Sequence, residues 1–415
     1  MKIHEVDVAV IGGGPAGLAA TVSAKNHGAK NVILLDRNGW LGGILPQCIH
    51  DGFGVEETGN SMTGPEYAEM YIDQVKKSGL TCMMETMVLD LKKNHEIIAV
   101  NKMGLHKIIA KAIILAMGCR EKTRWNVMIP GDRPSGIYTA GVAQAFINLY
   151  NVMPGKKVMI LGSGDVGLII ARRLKFEGAN VLGVIEILPF ASGLPRNVVQ
   201  CLDDYEIPLY LNHTVTYING RNRLESVTIA QVDNNLNVID GTEKEISCDT
   251  LLLSLGLIPE NELSKTAGAK IDKCTGGPIV NESFETTLKG IFACGNCLQV
   301  YDTVDVLSKG AKQAGKNAAA YVLNQPEEIH EIRVKAMRGI RYVIPQVISR
   351  SGLVNFTFRV KKPQKKVIFH LDADGKVIYQ KNLQWVNPTN MVEISVEISN
   401  DIIRSVDCLE AYLDG

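Results

Sequence analysis

The stretch Val10-Ile11-Gly12-Gly13-Gly14-Pro15-Ala16-Gly17-Leu18-Ala19-Ala20 decides the fold. The run from Val6 to Ile11 before it reads as a buried strand, and the Ala- and Leu-rich sequence after it reads as a helix. Gly12, Gly14 and Gly17 therefore sit in a strand-turn-helix, the setting that a dinucleotide fingerprint needs. Gly12 permits the tight turn, Gly14 lets backbone approach a pyrophosphate, and Gly17 lets helix and strand pack closely. The helix start, which Pro15 opens, offers the unpaired N–H groups from Ala16 onward and a positive dipole end to phosphates. The next strand, Asn31 to Leu35, ends in Asp36, at the right distance to hold a pair of ribose hydroxyls, and Arg37 follows it. The alternative is a glycine turn that binds no nucleotide.

A second copy lies further along. In Lys157-Val158-Met159-Ile160-Leu161-Gly162-Ser163-Gly164-Asp165-Val166-Gly167 the glycines Gly162, Gly164 and Gly167 fall in the same register, with Asp165 and Val166 at the helix start. The following strand, Asn180 to Ile185, ends in Glu186. The glycine-to-acid spacing is 24 in both copies, Gly12 to Asp36 and Gly162 to Glu186. A carboxylate there accepts from both ribose hydroxyls and repels a 2′-phosphate, and no arginine follows Glu186 directly. NAD(H) is therefore expected over NADP(H). The alternative for this half is a shell that is empty or holds another adenine nucleotide.

Composition bounds the function classes. The chain has 415 residues, enough for two or three domains, and 46% of them are hydrophobic. The formal net charge is zero, so no basic surplus points to nucleic acid or to an anionic membrane surface. No apolar run approaches the ~20 residues of a membrane span. Asp7 interrupts the first strand and no signal-peptide pattern is seen. The nine cysteines have no framework spacing. Both observations lead to the expectation of a reducing cytoplasm.

Between and after the fingerprints the pattern changes several times. Residues 60 to 80 read as a helix with Pro65 near its start, and residues 81 to 111 as short strands. Ala112 to Ala116 is an apolar strand broken at Gly118, before Arg120. Cys248 to Ile258 mirrors it, broken at Gly256 and Pro259. Residues 130 to 136 form a turn-rich linker. Residues 205 to 250 hold short alternating strands. From about residue 330 the chain alternates again, with a hairpin signal at Asp372-Ala373-Asp374-Gly375. The expected architecture is α/β: two Rossmann-like three-layer dinucleotide-binding domains, the second inserted in the first, plus a small C-terminal β domain. The expected boundaries are 1–120 with 255–328, 121–254, and 329–415.

Four blocks, Gly42-Gly43-Ile44-Leu45-Pro46-Gln47-Cys48-Ile49-His50-Asp51-Gly52-Phe53-Gly54, Ala116-Met117-Gly118-Cys119-Arg120-Glu121 with Ile129-Pro130-Gly131-Asp132, Leu251 to Leu263, and Phe292-Ala293-Cys294-Gly295-Asn296-Cys297, resemble one flavoprotein family. It is the pyridine nucleotide-disulfide oxidoreductase-like family that includes the α subunits of opine oxidase, hydrogen cyanide synthase and dye-linked proline dehydrogenase, and the oxidoreductase encoded beside anaerobic-type glycerol-3-phosphate dehydrogenases. The resemblance covers residues 1 to about 325 strongly and the tail more loosely. It implies FAD at the first fingerprint, with Gly42 and Gly43 beside the cofactor and Gly118, Arg120 and Gly256 where the chain crosses between domains. Gly295 and Asn296 stand where the family carries Gly-Asp against the ribityl chain. An amide still accepts through its oxygen, and the helix from about Asp305 to Leu323 aims its N-terminus at the flavin side.

Departures from the family bear on the route of electrons. Disulfide reductases carry C-x4-C after the Gly-Gly pair, whereas Gly43 is followed here by a single Cys48. Thioredoxin reductases carry C-x-x-C in the nicotinamide domain, whereas residues 150 to 255 hold only Cys201 and Cys248. A dithiol relay is not expected, nor is a metal. Cys48 and His50 are candidate catalytic residues, or else a packing residue and a loop hydrogen-bonder. Cys294 and Cys297 are a redox pair, or two small residues in a crowded turn. The expected function is FAD-dependent electron transfer between NAD(H) and a partner dehydrogenase subunit or small redox protein, on a small-molecule substrate that the sequence does not name. The rivals are a stand-alone NADH oxidase or small-acceptor reductase, and a nucleotide-binding scaffold subunit.

Overall fold

Val8, Ala9, Val10 and Ile11 are apolar without interruption because β1 (Lys2–Ile11), which carries them, is paired on both edges and buried on both faces. After β1 come α1 (Pro15–Asn26), β2 (Val32–Leu35), α2 (Gly64–Lys77), β3 (Thr81–Met83), β4 (Met87–Leu91), β5 (Glu96–Asn101) and β6 (Gly104–Leu115). The strands β3-β2-β1-β6 lie side by side and parallel, β5 adds antiparallel to β6, and β4 adds antiparallel to β5. The helix expected over 60–80 is α2. It starts at a capping box in which Thr63 and Glu66 satisfy each other's backbone N–H groups, with Pro65 in the first turn.

The computed structural model describes residues 1–324 and 331–415. These form two units, residues 1–119 with 259–415, and residues 120–258. The second is thus inserted in the first along the chain. The expected boundary between 328 and 329 lies outside the described residues.

The inserted unit contains β7 (Ile137–Thr139), β8 (Lys157–Leu161), α3 (Asp165–Phe176), β9 (Asn180–Glu186), β10 (Leu209–Leu211), β11 (His213–Asn219), β12 (Ser226–Gln231), β13 (Lys244–Ser247) and β14 (Thr250–Leu253). Its parallel sheet runs β10-β9-β8-β14-β7. Alternation along β8 divides the layers. Val158 and Ile160 pack with Leu168, Ile170 and Leu174 of α3, while Met159 and Leu161 pack with Val215, Ile218 and Val227 of the antiparallel sheet β11-β12-β13.

On its return the chain forms β15 (Ile291–Ala293), which pairs parallel with β6 and extends the first sheet, and then α4 (Val304–Asn324). Helices α1 and α4 meet through small buried residues, among them Ala19, Ala20, Ala311, Ala314 and Ala318. The contact is so close that a Cβ on Gly315 would lie 2.2 Å from the Ala20 carbonyl oxygen.

The C-terminal strands are β16 (Ile332–Ala336), β17 (Ile340–Ile344), β18 (Val347–Ile348), β19 (Gly352–Val360), β20 (Gln364–Ala373), β21 (Lys376–Val386), β22 (Val392–Ile398) and β23 (Cys408–Asp414). They build two sheets, β18-β16-β23-β20-β21 and β17-β19-β22. Phe356, Phe358, Phe369, Leu371 and Leu409 fill the core they share. The hairpin turn is shorter than the four residues expected. Ala373 still pairs with Lys376, and only Asp374 and Gly375 turn the chain, both at positive φ. Although it has its own core, this sandwich lies in the same unit as the first fingerprint, and its Tyr342 and Ile344 join the core beneath the parallel sheet.

Gly315 tests the close helix contact. An alanine gains about 1 kcal/mol of helix propensity, but its methyl group must push α1 away, and overpacking of this kind costs about 1–3 kcal/mol. Gly315→Ala should therefore lower the urea midpoint; an unchanged or raised midpoint would show that the helices slide apart freely.

Candidate functional site

The first glycine turn is built as tightly as backbone allows. Gly12 has φ +107°, and a Cβ there would lie 2.3 Å from the Ala116 carbonyl oxygen. A Cβ on Gly17 would lie 1.7 Å from the Gly12 carbonyl oxygen. Gly14 differs: a Cβ there would meet nothing nearer than the Gly43 Cα, at 3.8 Å. It caps α1 with no side-chain bond to the first-turn N–H groups. This is a cradle that a side chain would fill, open at a helix N-terminus, and it fits a diphosphate.

Asp36 pins the turn. It is buried, and its Oδ2 accepts from the Gly13 N–H at 2.6 Å while Oδ1 accepts from the Asn38 N–H at 2.7 Å. Each oxygen keeps one lone pair, enough for one ribose hydroxyl apiece. Arg37 beside it is exposed. The loop that follows is tied back onto the turn: the Gly42 N–H donates to the Gly13 carbonyl, and a Cβ on Gly43 would lie 2.8 Å from the Gly14 Cα.

Residues far along the chain complete this cluster. A Cβ on Gly295 would lie 2.5 Å from Cβ of Ala16, so the turn Gly295–Cys297 touches the first turn of α1. Asn296 accepts from the Tyr301 N–H at 3.1 Å and directs its amide nitrogen at Cys119 Sγ, 3.5 Å away. Its amide oxygen is thus half engaged in shaping its own loop. Gly118 precedes Cys119 at φ +72°, with open space where a Cβ would stand. Pro15, Ala16, Gly12, Gly14, Gly17, Asp36, Gly42, Gly43, Gly295 and Asn296 therefore gather at the C-terminal ends of β1, β2 and β15 in the first sheet.

The second turn repeats the design. Gly162 has φ +100°, a Cβ on it would lie 2.1 Å from the Ser254 carbonyl oxygen, and one on Gly167 would lie 2.6 Å from the Gly162 carbonyl oxygen. Around Gly164 the nearest atom to a Cβ would be Ser254 Oγ, at 3.6 Å, and α3 also starts without a side-chain cap. Glu186 pins this turn as Asp36 pins the first, through the Ser163 N–H at 3.1 Å. Two serines that belong to no motif add to it. The hydroxyls of Ser163 and Ser192 donate to the same Oε2, at 2.5 and 2.8 Å, while the Leu188 N–H donates to Oε1 at 3.0 Å. Free acceptor capacity on Glu186 lies on Oε1. Asp165 opens α3, and its Oδ1 accepts from the Leu194 N–H and from Asn197. Val166 is exposed, as is Arg120, and Gly256 turns at φ +89° where the Lys122 N–H bonds its carbonyl.

Cys48 is half-buried, and burial pushes its thiol up to about 12. His50 bonds the neighbouring Asp51 carbonyl and packs on Phe53. Cys294 and Cys297 are fully buried free thiols. Burial drives Cys294 well up and Cys297 to about 11, and Cys297 contacts the Leu115 carbonyl at 3.1 Å. These surroundings support packing roles for all three thiols, because a nucleophilic cysteine needs its thiolate. Among the described residues no three His, Cys, Asp or Glu side chains gather as a metal site.

A further polar cluster carried no sequence motif. Glu57 accepts from the hydroxyls of Tyr67 and Tyr71, at 2.5 and 2.6 Å, and pairs with Lys312 of α4. Burial opposes its charge, but these three donors outweigh that and hold its carboxyl below the usual range. Asp305, in the first turn of α4, accepts from the N–H groups of Gly54, Glu56 and Glu57. Together they fasten the segment after the Gly42-Gly43 loop to α4.

Comparison with known proteins agrees with this geometry. The profile of the pyridine nucleotide-disulphide oxidoreductase family matches residues 6–319. An opine oxidase subunit of Agrobacterium tumefaciens is 25% identical over 313 residues, which span 70% of this chain and 61% of that protein. The NADH oxidase of Methanocaldococcus jannaschii is 26% identical over 376 residues, 85% of this chain and 77% of that one. In structure, thioredoxin reductase of T. acidophilum superposes with a TM-score of 0.64 at 23% identity, covering 76% of this chain and 98% of that one. No helix among the described residues is long and apolar enough to cross a membrane.

At pH 8 an alkylating reagent should modify the exposed Cys274 in the native protein and leave Cys294 and Cys297 unmodified until the chain is unfolded, as read by peptide mass spectrometry. Prompt native-state labelling of Cys297 would favour the redox-pair reading.

Proposed function

Because the chain belongs to the pyridine nucleotide-disulphide oxidoreductase family, whose members bind FAD and NAD(P), we propose that the Gly12–Gly17 turn holds FAD, that the Gly162–Gly167 turn holds NAD(H), and that electrons leave through a partner dehydrogenase subunit or small redox protein. The observation that carries the assignment is the turn at Gly295, which packs on Ala16. It brings Asn296 and the start of α4 to the first fingerprint, where a flavin and its ribityl chain need further contacts. When bound, the flavin supplies the two-electron chemistry, taking hydride from the nicotinamide.

The chain's own groups bind and orient. Gly14 and the uncapped start of α1 accommodate the diphosphate, and Asp36 takes the adenosine ribose. Asn296 offers its remaining acceptor and donor capacity to the ribityl hydroxyls. In the second unit Gly164 and the start of α3 take the other diphosphate. Ser163 and Ser192 hold Glu186 in place, and its free Oε1 position accepts a ribose hydroxyl. A 2′-phosphate would meet that carboxylate, which supports NAD(H) over NADP(H).

An exit that uses no redox-active disulfide is supported by the thiols, since Cys48, Cys294 and Cys297 are all pushed up by burial. A partner is supported by the resemblance to a protein named as one subunit of an oxidase. The loop after Asp36 also leaves Trp40, Ile44 and Ile49 exposed, apolar side chains suited to contact with another protein. Steady consumption of NADH in air by the isolated chain would instead favour the stand-alone oxidase.

The test is anaerobic stopped-flow mixing with NADH and with NADPH. Bleaching of the flavin band should be faster with NADH. Glu186→Ser should slow reduction by NADH about tenfold at subsaturating nucleotide, the scale of one lost charge-assisted contact, and narrow the preference over NADPH. No bleaching with either nucleotide would overturn the nicotinamide half.

A further inference from the structure

The segment Val300-Tyr301-Asp302 joins the Gly295–Cys297 turn to α4, and it is gripped from both sides. On one side the Tyr301 N–H donates to Asn296 Oδ1 at 3.1 Å. On the other stands the C-terminal sandwich. Arg359, on β19, pairs with Asp302 and donates to the Val300 carbonyl at 3.2 Å. Its other terminal nitrogen donates to the carbonyls of Pro388 and Thr389, and the Met391 N–H donates to Asp302 Oδ2. Gln299, 1% exposed, donates to Thr357 Oγ1 at 2.8 Å.

The Arg359 and Asp302 side chains are 12% and 27% exposed, so the guanidinium is shielded from water while Asp302 lies nearer the surface. Breaking such a pair on one side leaves a desolvated charge with no partner and loses more than a surface pair does. Burial works against the Arg359 charge, and Asp302 and the Tyr342 phenol outweigh it. The guanidinium thus acts as a fixed strut with its donors spread over two elements of the sandwich and one loop of the nucleotide-binding sheet, a planar fork that lysine does not reproduce.

We propose that Arg359 is a positioning residue for the flavin: by clamping Val300–Asp302 it holds Asn296 and the start of α4 in place, so that the C-terminal sandwich completes the cofactor site. This rests on the assignment of FAD to the first fingerprint. The clamp lies in one unit and needs no statement about the other.

The test measures FAD affinity of the full-length protein by quenching of flavin fluorescence, together with the visible flavin spectrum and the melting temperature. The variants are Arg359→Ala, Arg359→Lys, Asp302→Asn and the double Arg359→Ala/Asp302→Asn. Arg338→Ala serves as the control, because Arg338 pairs with Asp414 elsewhere on the sandwich, away from Asp302. Arg359→Ala should weaken FAD binding about tenfold and alter the flavin band, a fraction of the loss that removing one partner of a shielded pair causes in the fold itself. Arg359→Lys should recover only part of this, and the double variant should be no worse than Arg359→Ala. The control should retain wild-type affinity even if it melts earlier. Should Arg359→Ala fail to fold, Asp302→Asn carries the same expectation at lower magnitude. Wild-type affinity and spectrum in both Arg359→Ala and Asp302→Asn would overturn the proposal, as would equal loss in the Arg338→Ala control. A wild-type chain that binds no FAD would overturn the cofactor assignment beneath it.

Discussion

A carbonyl oxygen pressed against a helix constrains this chain twice. There is no room for a side chain between the Gly12 carbonyl and Gly17, or between the Gly162 carbonyl and Gly167. That contact draws each helix onto the end of its strand and leaves the helix N-terminus uncapped and open. The buried carboxylate at the end of the neighbouring strand then reaches the loop's second N–H, Gly13 to Asp36 and Ser163 to Glu186. The cradle, the acid and the helix dipole follow from one steric fact, and everything else at either site is attached to it.

What distinguishes the two sites is what is added. The first recruits the loop at Gly42 and Gly43 and, from the far end of the chain, Gly295 and Asn296, with Arg359 behind them. The second recruits the loop carrying Ser192 and Leu194, which spends hydroxyl and backbone donors on Glu186 and Asp165. Asp36 keeps capacity on both oxygens, whereas Glu186 keeps it on Oε1.

Much of this was legible in residues that act through backbone geometry. Glycine at fixed offsets, an acid 24 residues on and a buried apolar strand are local signals, and they led to the parallel sheets, both turns and the interruption of the first unit by the second. The C-terminal alternation at Val354–Val360 and Val392–Ile398 was equally plain, because period-two burial shows in a single strand. What stayed hidden depends on contacts between distant segments. Ser163 and Ser192 are ordinary serines until folding brings both hydroxyls to one carboxylate oxygen. Asp165 sits where a cofactor contact is expected, and its bonds from Asn197 and the Leu194 N–H arise only on folding. Glu57, Tyr67, Tyr71 and Lys312 come from three elements, and Arg359 reaches Asp302 across 57 positions. Cys294 and Cys297 share a C-x-x-C spacing, but spacing does not report the burial that raises both thiols.

The central claim, one fingerprint for FAD and its copy for the nicotinamide nucleotide, is tested most directly by filling each cradle in turn. A methyl group at Gly14 or Gly164 clashes with nothing in the fold, so both Gly14→Ala and Gly164→Ala should remain folded. Bound flavin, read from the visible absorbance of the purified proteins, should be lost in Gly14→Ala. It should be kept in Gly164→Ala, which should no longer be reduced by NADH. Flavin retained in Gly14→Ala, or stripped from Gly164→Ala, would contradict the account.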